Sequence, residues 1–589
     1  VDNPFVSYLR TLYSQSQVSN AGTRGLDERG KKLYVKTLLD RELSPAVFDG
    51  EFQLVIITGN AGDGKTAFLQ ELESRAGTLG ADLTRNENGN GAKFELDNRT
   101  YRSNYDGSQD EGNTANATVL EDFFGPYSGG DAEHWPSQET RLIAINEGRL
   151  VDFLKENEQK FSHLKACVNE GLASGRPENG VAVVNLNLRS VTAGSPDTDE
   201  SIFERLLNRF TKPEFWAACE RCPLSEKCYA FHNAKTFNDP KVGPTISERL
   251  ETLYRLTVLR GKLHLTLRDV GSALAYMLTS DRDCEEIRSL HQSGDRQEYL
   301  DGYFFNSWMG GAEATGDRLL DLLREVDVGT ASDPRGDRRY DFESPLKDAS
   351  LFDVEDRSAY DRELLAKVFD EVHGNKVGAL SSSVIESHRR YVSMRRRLSY
   401  FERRDDDSAR MLPFRSADRM LNLLQGEADL DEAKHGLIRA INRGEGLVDP
   451  GRLGDDLALR IREVKRGTIM SYRLFDSDQF TLGIGSEVQP RFVEYEPESL
   501  RLRYEGDENE AELIVDLDVF EMLDRLNRGY EPSPEELQGY YVSLEVFKNV
   551  LSAAPYEEVL LTPSGYEFYR IKRHEDGVLE MNRIDELST

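Results

Sequence analysis

Gly59-Asn-Ala-Gly-Asp-Gly-Lys-Thr66 is the run whose residue types and spacing could do chemistry. It fits G-x-x-x-x-G-K-[ST], a loop whose glycines let backbone N–H groups turn toward phosphate. In such a loop Gly59, Asn60, Ala61, Gly62, Asp63 and Gly64 wrap a triphosphate. Lys65 reaches the β- and γ-phosphates, and the Thr66 hydroxyl holds Mg²⁺. An ordinary strand–helix turn has no need of a lysine among three glycines, so binding of ATP with Mg²⁺ is the expectation.

Two further runs end in polar residues that suit the same chemistry. Leu142-Ile-Ala-Ile145 is apolar and is followed by Asn146-Glu147. Ligands of open α/β sheets sit beyond the C-terminal strand ends, so Glu147 is a candidate catalytic carboxylate, able to polarise a water. Asn146 stands where an aspartate would support Mg²⁺. It ligates without charge, which leaves the hydrolysis rate open. The alternative is a surface glutamate after a core strand. In Val184-Asn-Leu-Asn-Leu-Arg189, Asn185 or Asn187 would orient the lytic water, and Arg189 would sense phosphate. Strand-end capping by asparagine is the alternative. Asp106-Gly-Ser-Gln-Asp110 reads as a plain turn in preference to a nucleotide-facing loop.

Cys219, Cys222, Cys228 and His232 have the spacing C-x2-C-x5-C-x3-H. Three thiolates and an imidazole can close a tetrahedral, structural Zn²⁺ site with no open position. An iron–sulfur cluster is the alternative occupant, and reduced thiols the plain one. Cys167 and Cys284 stand apart and read as packing residues. His388–Arg404 carries seven arginines with Tyr391, Tyr400 and Phe401 interleaved. The Arg389–Arg404 segment suits double-stranded DNA or an acidic partner. A salt-bridged face against the chain's own acids is the competing reading.

These groups need elements to position them. Leu54–Thr58 is a short β-branched run and reads as a buried strand, with a helix from Ala67. The segments 92–97 and 99–103 alternate in period two and read as a small hairpin joined at Asp97-Asn98. Residues 141–147 and 180–188 read as further strands. Strands alternating with helices imply a mainly parallel sheet covered on both faces. The expected organisation is a helical segment over 1–48, an α/β core over 49–244, a helical lid over 245–310, a helical region over 311–455, and an α+β domain over 456–589. In that last domain 465–475, 480–485, 492–504 and 511–517 read as strands.

The chain has 589 residues, too many for one core. Its 74 basic and 105 acidic residues leave a net charge of −31. That balance argues against a broad DNA-coating surface. No apolar stretch approaches the roughly 20 residues that span a bilayer. A cytoplasmic protein without membrane association is expected.

The loop, the strand-end Asn-Glu, the asparagines after the next strand and the helical lid together resemble the AAA+ division of P-loop ATPases, over roughly residues 50–310. That resemblance implies a lid arginine, for which Arg268 in His264-Leu-Thr-Leu-Arg-Asp269 is the candidate. It also implies a finger supplied by a neighbouring copy, with Arg205 and Arg209 as candidates, and so a homo-oligomer. With the cysteine segment and Asn233, the chain is similar to stand-alone ATPases of prokaryotic anti-phage islands, nearest the F component of phosphorothioation-dependent DNA restriction (the DptF-like family). What this implies is a motor or switch working with other subunits of a defence complex. A nucleotide-locked scaffold and an ATPase of the replication-initiator or helicase-loader type are the competing functions.

Overall fold

Leu54–Thr58 forms β1, buried along its whole length. In the computed structural model it lies inside a six-stranded sheet with β2 (Thr84–Arg85), β3 (Ala92–Leu96), β4 (Arg99–Asn104), β5 (Glu139–Ala144) and β6 (Val181–Asn185), in the order β2-β3-β4-β5-β1-β6. The structure describes residues 2–584 apart from 19–27, 111–114, 195–199, 262, 312–313, 315, 331–333, 349, 352–358, 375–381, 405–406, 448–454, 462–468, 486–487, 489, 507–509, 531–533, 554–557, 564–566 and 575.

β4, β5, β1 and β6 run parallel, with Ile56 opposite both Ile143 and Val183. Alternation sends successive side chains to opposite faces. Val55, Ile57, Leu142, Ala144, Ala182 and Val184 pack with Phe68 and Leu72 on one face. Leu54, Ile56, Ile143, Val181 and Val183 pack with Phe124, Phe153 and Leu164 on the other. Burial on both faces explains why these strands are continuous β-branched runs.

The hairpin is present, with Asp97 and Asn98 both in the left-handed region (φ 51° and 62°). It is not peripheral. β4 continues the main sheet and pairs with β5, so the residues after β4 arrive at the C-terminal edge beside the end of β5, where the Gly107 N–H donates to Ala144 O (2.7 Å).

The chain divides into two compact units. The first comprises residues 1–255, 263–413 and 487–496, and the second 256–262, 414–486 and 497–589. The N-terminal segment, core, lid and much of the middle helical region thus form one body. The second unit holds an antiparallel sheet of β9 (Phe480–Ile484), β10 (Leu500–Glu505) and β11 (Glu510–Val515). It also holds a five-stranded sheet that includes β7 (Leu457–Arg460), β8 (Met470–Phe475) and β12 (Glu558–Thr562), with β13 (Phe568–Arg573) and β14 (Leu579–Ile584) at its edge. Its start near Phe414, not 456, reflects helices Ala417–Leu424 and Leu430–Gly444, which pack with helix Leu517–Asn527. Within 465–475 the strand covers Met470–Phe475, and 465–468 lie outside the described residues. Within 492–504 only Leu500 onward is strand, because Phe492 and Val493 join the core of the first unit. Among the described residues no helix is long and apolar enough to cross a membrane.

Candidate functional site

The loop after β1 opens onto a cavity of about 690 Å³. Asn60 through Thr66 line it, and Lys65 begins the helix Lys65–Thr78. A helix N-terminus presents unpaired N–H groups and a positive dipole end, which favour an anion. Lys65 Nζ donates to the carbonyls of Gly59 and Asn60, both at 2.7 Å. Burial holds its ammonium below the usual range, with Asp63 and Asp106 pulling the other way. Gly62 is required twice over. Its φ is +105°, and a Cβ there would lie 2.8 Å from Thr266 Oγ1 and 2.9 Å from Arg268 Cβ.

That approach is where the lid meets the loop. The Arg268 N–H donates to Gly62 O (3.2 Å), and His264 Nε2 lies 3.1 Å from Asp63 Oδ1. Thr266 and Asp269 form a capping box that starts the lid helix Leu267–Thr279. Arg268, Gly271 and Ser272 of this helix line the cavity.

The remaining polar wall differs from the sequence reading. Asp106, Ser108 and Gln109 line the cavity at the end of β4. The Thr66 hydroxyl donates to Tyr105 O (3.2 Å), and the Ser108 N–H holds Asp106 Oδ1 (2.9 Å). The segment 106–110 is therefore more than a plain turn, because β4 belongs to the main sheet. Asn146 lines the cavity, and its N–H donates to Ser108 Oγ (3.0 Å). Glu147 starts the helix Glu147–Glu156 and is not part of the cavity lining. Its Oε2 accepts from Asn185 Nδ2 (3.0 Å) and Asn187 Nδ2 (3.4 Å). The three expected catalytic residues are thus brought together, but they hold one another. An Asp after a strand hidden in a hairpin was the signal the sequence offered for Asp106.

Arg189 lines the cavity and is 3% exposed. Its Nη1 donates to Asp63 O (2.8 Å), while Nη2 has no hydrogen-bond partner among the described residues. Behind it sits Glu494, 1% exposed, which accepts from the Leu38 N–H (2.9 Å). Arg41 (3.7 Å), Arg189 (3.7 Å) and Arg205 (3.5 Å) surround that carboxylate. Arg205 is consequently tied inside its own chain and is not placed to serve a neighbour, whereas Arg209 is exposed. The N-terminal segment supplies the apolar wall, through Tyr8, Leu12, Leu33, Tyr34 and Val35. Local pattern alone did not reveal that role.

Nearby, Glu251 carries a carboxyl that burial pushes up to about 7, against a hydrogen bond from Ser201 and the charge of Arg255. A raised acid binds its proton more tightly folded than unfolded. Its contribution to stability is therefore present at low pH and lost as pH rises toward 7. Glu251→Gln is expected to stabilise the protein by about 3 kcal/mol at pH 8 and to change little at pH 4, read by thermal melts at both pH values.

The cysteines gather away from this cavity. Cys219, Cys222, Cys228 and also Cys284 lie within electrostatic reach of one another. Cys284 is not an isolated packing residue. His232 turns elsewhere: its ring packs edge-on to Tyr303 (4.9 Å), and its Nε2 lies 4.0 Å from Asp361. Four residues on from the helix cap Cys228, it points to the opposing helices.

The arginine segment lies largely on helix Ser382–Glu402 and faces the chain's own acids. Arg396 pairs with Asp337 and Arg397 with Asp327, each through two bonds of 2.6–2.8 Å. Arg395 meets Asp348 (2.7 Å), Arg390 pairs with Asp301, and Arg404 donates to Ser350 O. These five cations are engaged within the chain, as the salt-bridge alternative has it. Comparisons with protein-family models, curated proteins and solved structures give no match.

Proposed function

We propose that this chain is an ATPase of the P-loop class, AAA+-like in its core, that binds ATP in the cavity after β1 and couples its turnover to a change of state. The observation that carries the reading is the Gly59–Thr66 loop at the end of a central parallel strand, with Lys65 and Thr66 on a helix N-terminus facing a cavity of about 690 Å³. The donor set fits Mg²⁺: the Thr66 hydroxyl and the Asp106 carboxylate are hard oxygens on one wall. The ion would neutralise phosphate charge, and the chain's part is to hold the triphosphate. Arg189 and Arg268 bring two guanidinium groups to the phosphate end, and the apolar N-terminal wall suits a base.

The setting in a DNA-defence complex with partner subunits follows from the resemblance alone. Steady-state ATP hydrolysis by the purified chain, with and without duplex DNA, tests both levels. Turnover that DNA stimulates supports a DNA-coupled switch. Turnover indifferent to DNA supports an ATPase answering to another partner. Tightly held nucleotide without turnover favours the nucleotide-locked scaffold, a reading to which the engagement of Glu147 by two asparagines also points. Absence of nucleotide binding removes the proposal.

A further inference from the structure

We propose that Cys219, Cys222, Cys228 and Cys284 are the four ligands of an iron–sulfur cubane, and that His232 is not a ligand. Cys219 lies in the tight turn Ala217–Arg221, and Cys222 closes that turn with its N–H on Cys219 O (3.1 Å). Cys228 caps the helix Tyr229–Phe237, and Cys284 is the first residue of the helix Cys284–Ser293. Sequence distance hides the fourth ligand, and the fold supplies it.

One residue joins the distant fourth cysteine to the local three. Asn3 donates its backbone N–H to Cys284 Sγ (3.4 Å) and its side-chain Nδ2 to Cys219 Sγ (3.3 Å). Asn3 is 3% exposed, and the same Nδ2 also reaches Phe215 O (2.9 Å). Hydrogen bonds to the sulfurs tune a bound cluster.

The spacing separates the two possible occupants. A single tetrahedral Zn²⁺, with Zn–S bonds of about 2.3 Å, draws its sulfurs to about 3.8 Å from one another. Among the described residues no three cysteine sulfurs lie mutually within 4.8 Å. A cubane binds each sulfur to a different iron and so holds the four farther apart. Four cysteines without histidine are also the ligand set for a four-iron cluster. The assignment does not depend on the nucleotide reading.

The test is metal and sulfide analysis of the full chain purified without oxygen and reconstituted with iron and sulfide, together with visible absorption and electron paramagnetic resonance after reduction. About four irons and four sulfides per chain are expected, with the content lost in Cys284→Ser and kept in His232→Ala. One zinc per chain without sulfide, or a chain that takes up no iron, would overturn the cubane. Full iron content in Cys284→Ser, or loss in His232→Ala with the helical circular dichroism intact, would overturn the ligand set. The wild-type stoichiometry decides the cluster even if Cys284→Ser fails to fold.

Discussion

Lys65→Ala is expected to lower ATP turnover by at least about a hundredfold while leaving the melting temperature within a few degrees. The side chain rests on the carbonyls of Gly59 and Asn60 at the rim of the cavity. Those two acceptors reach water in the variant, so little stability is lost. The ammonium, by contrast, is the single cation on the loop itself, and charge developing on the phosphates has no substitute for it there. Initial rates at saturating ATP, beside a thermal melt, give the answer. A rate within about twofold of wild type would place the chemistry, if any, outside this loop.

The second large effect separates two carboxylates. Asp106→Asn is expected to reduce turnover by about a hundredfold and to raise the Mg²⁺ concentration needed for half-maximal rate, whereas Glu147→Gln changes the rate by less than about fivefold. Asp106 stands in the cavity wall beside Thr66. Glu147 accepts from Asn185 and Asn187, outside that wall. A glutamine there keeps an acceptor oxygen for either amide. Mg²⁺ titrations of the two variants discriminate: the reverse order of effects would return the catalytic role to Glu147 and would mean that its asparagine contacts break when nucleotide binds.

Features carried by local spacing were legible. The glycine loop, the buried β1 run, the hairpin turn at Asp97-Asn98 and the starts of β5 and β6 can each be read within ten residues, because each depends on backbone geometry or two-faced burial. The candidate site was legible in the same measure, through Lys65, Thr66, Arg189 and Arg268. What escaped depends on pairings between distant segments. β4 looks like half of an isolated hairpin until its parallel pairing with β5 makes Asp106 part of the wall. Cys284 looks solitary until the helix it starts is set beside Asn3. The arginine run looked like a phosphate-binding surface because its partners Asp327, Asp337 and Asp348 lie 47 to 70 positions away in sequence. Charge pattern in one segment says nothing of which acids the fold sets opposite.

Residues 487–496 bear on how this protein can be taken apart. The chain passes from one compact unit to the other at five points, and this decapeptide belongs to the first unit while both of its flanks belong to the second. It brings Phe492 edge-on to Phe52 (5.8 Å) and sets Glu494 among Arg41, Arg189 and Arg205. A fragment ending near Pro413 would keep every cavity residue yet strand three guanidinium groups without their shared anion, a loss of the kind that costs about 3–5 kcal/mol. No scission before residue 497 therefore releases the cavity-bearing half whole. A nonsense mutation anywhere upstream of 494 would cripple that half as surely as one within it, and a synthetic peptide spanning 487–496 would be the natural agent to complement the truncated chain.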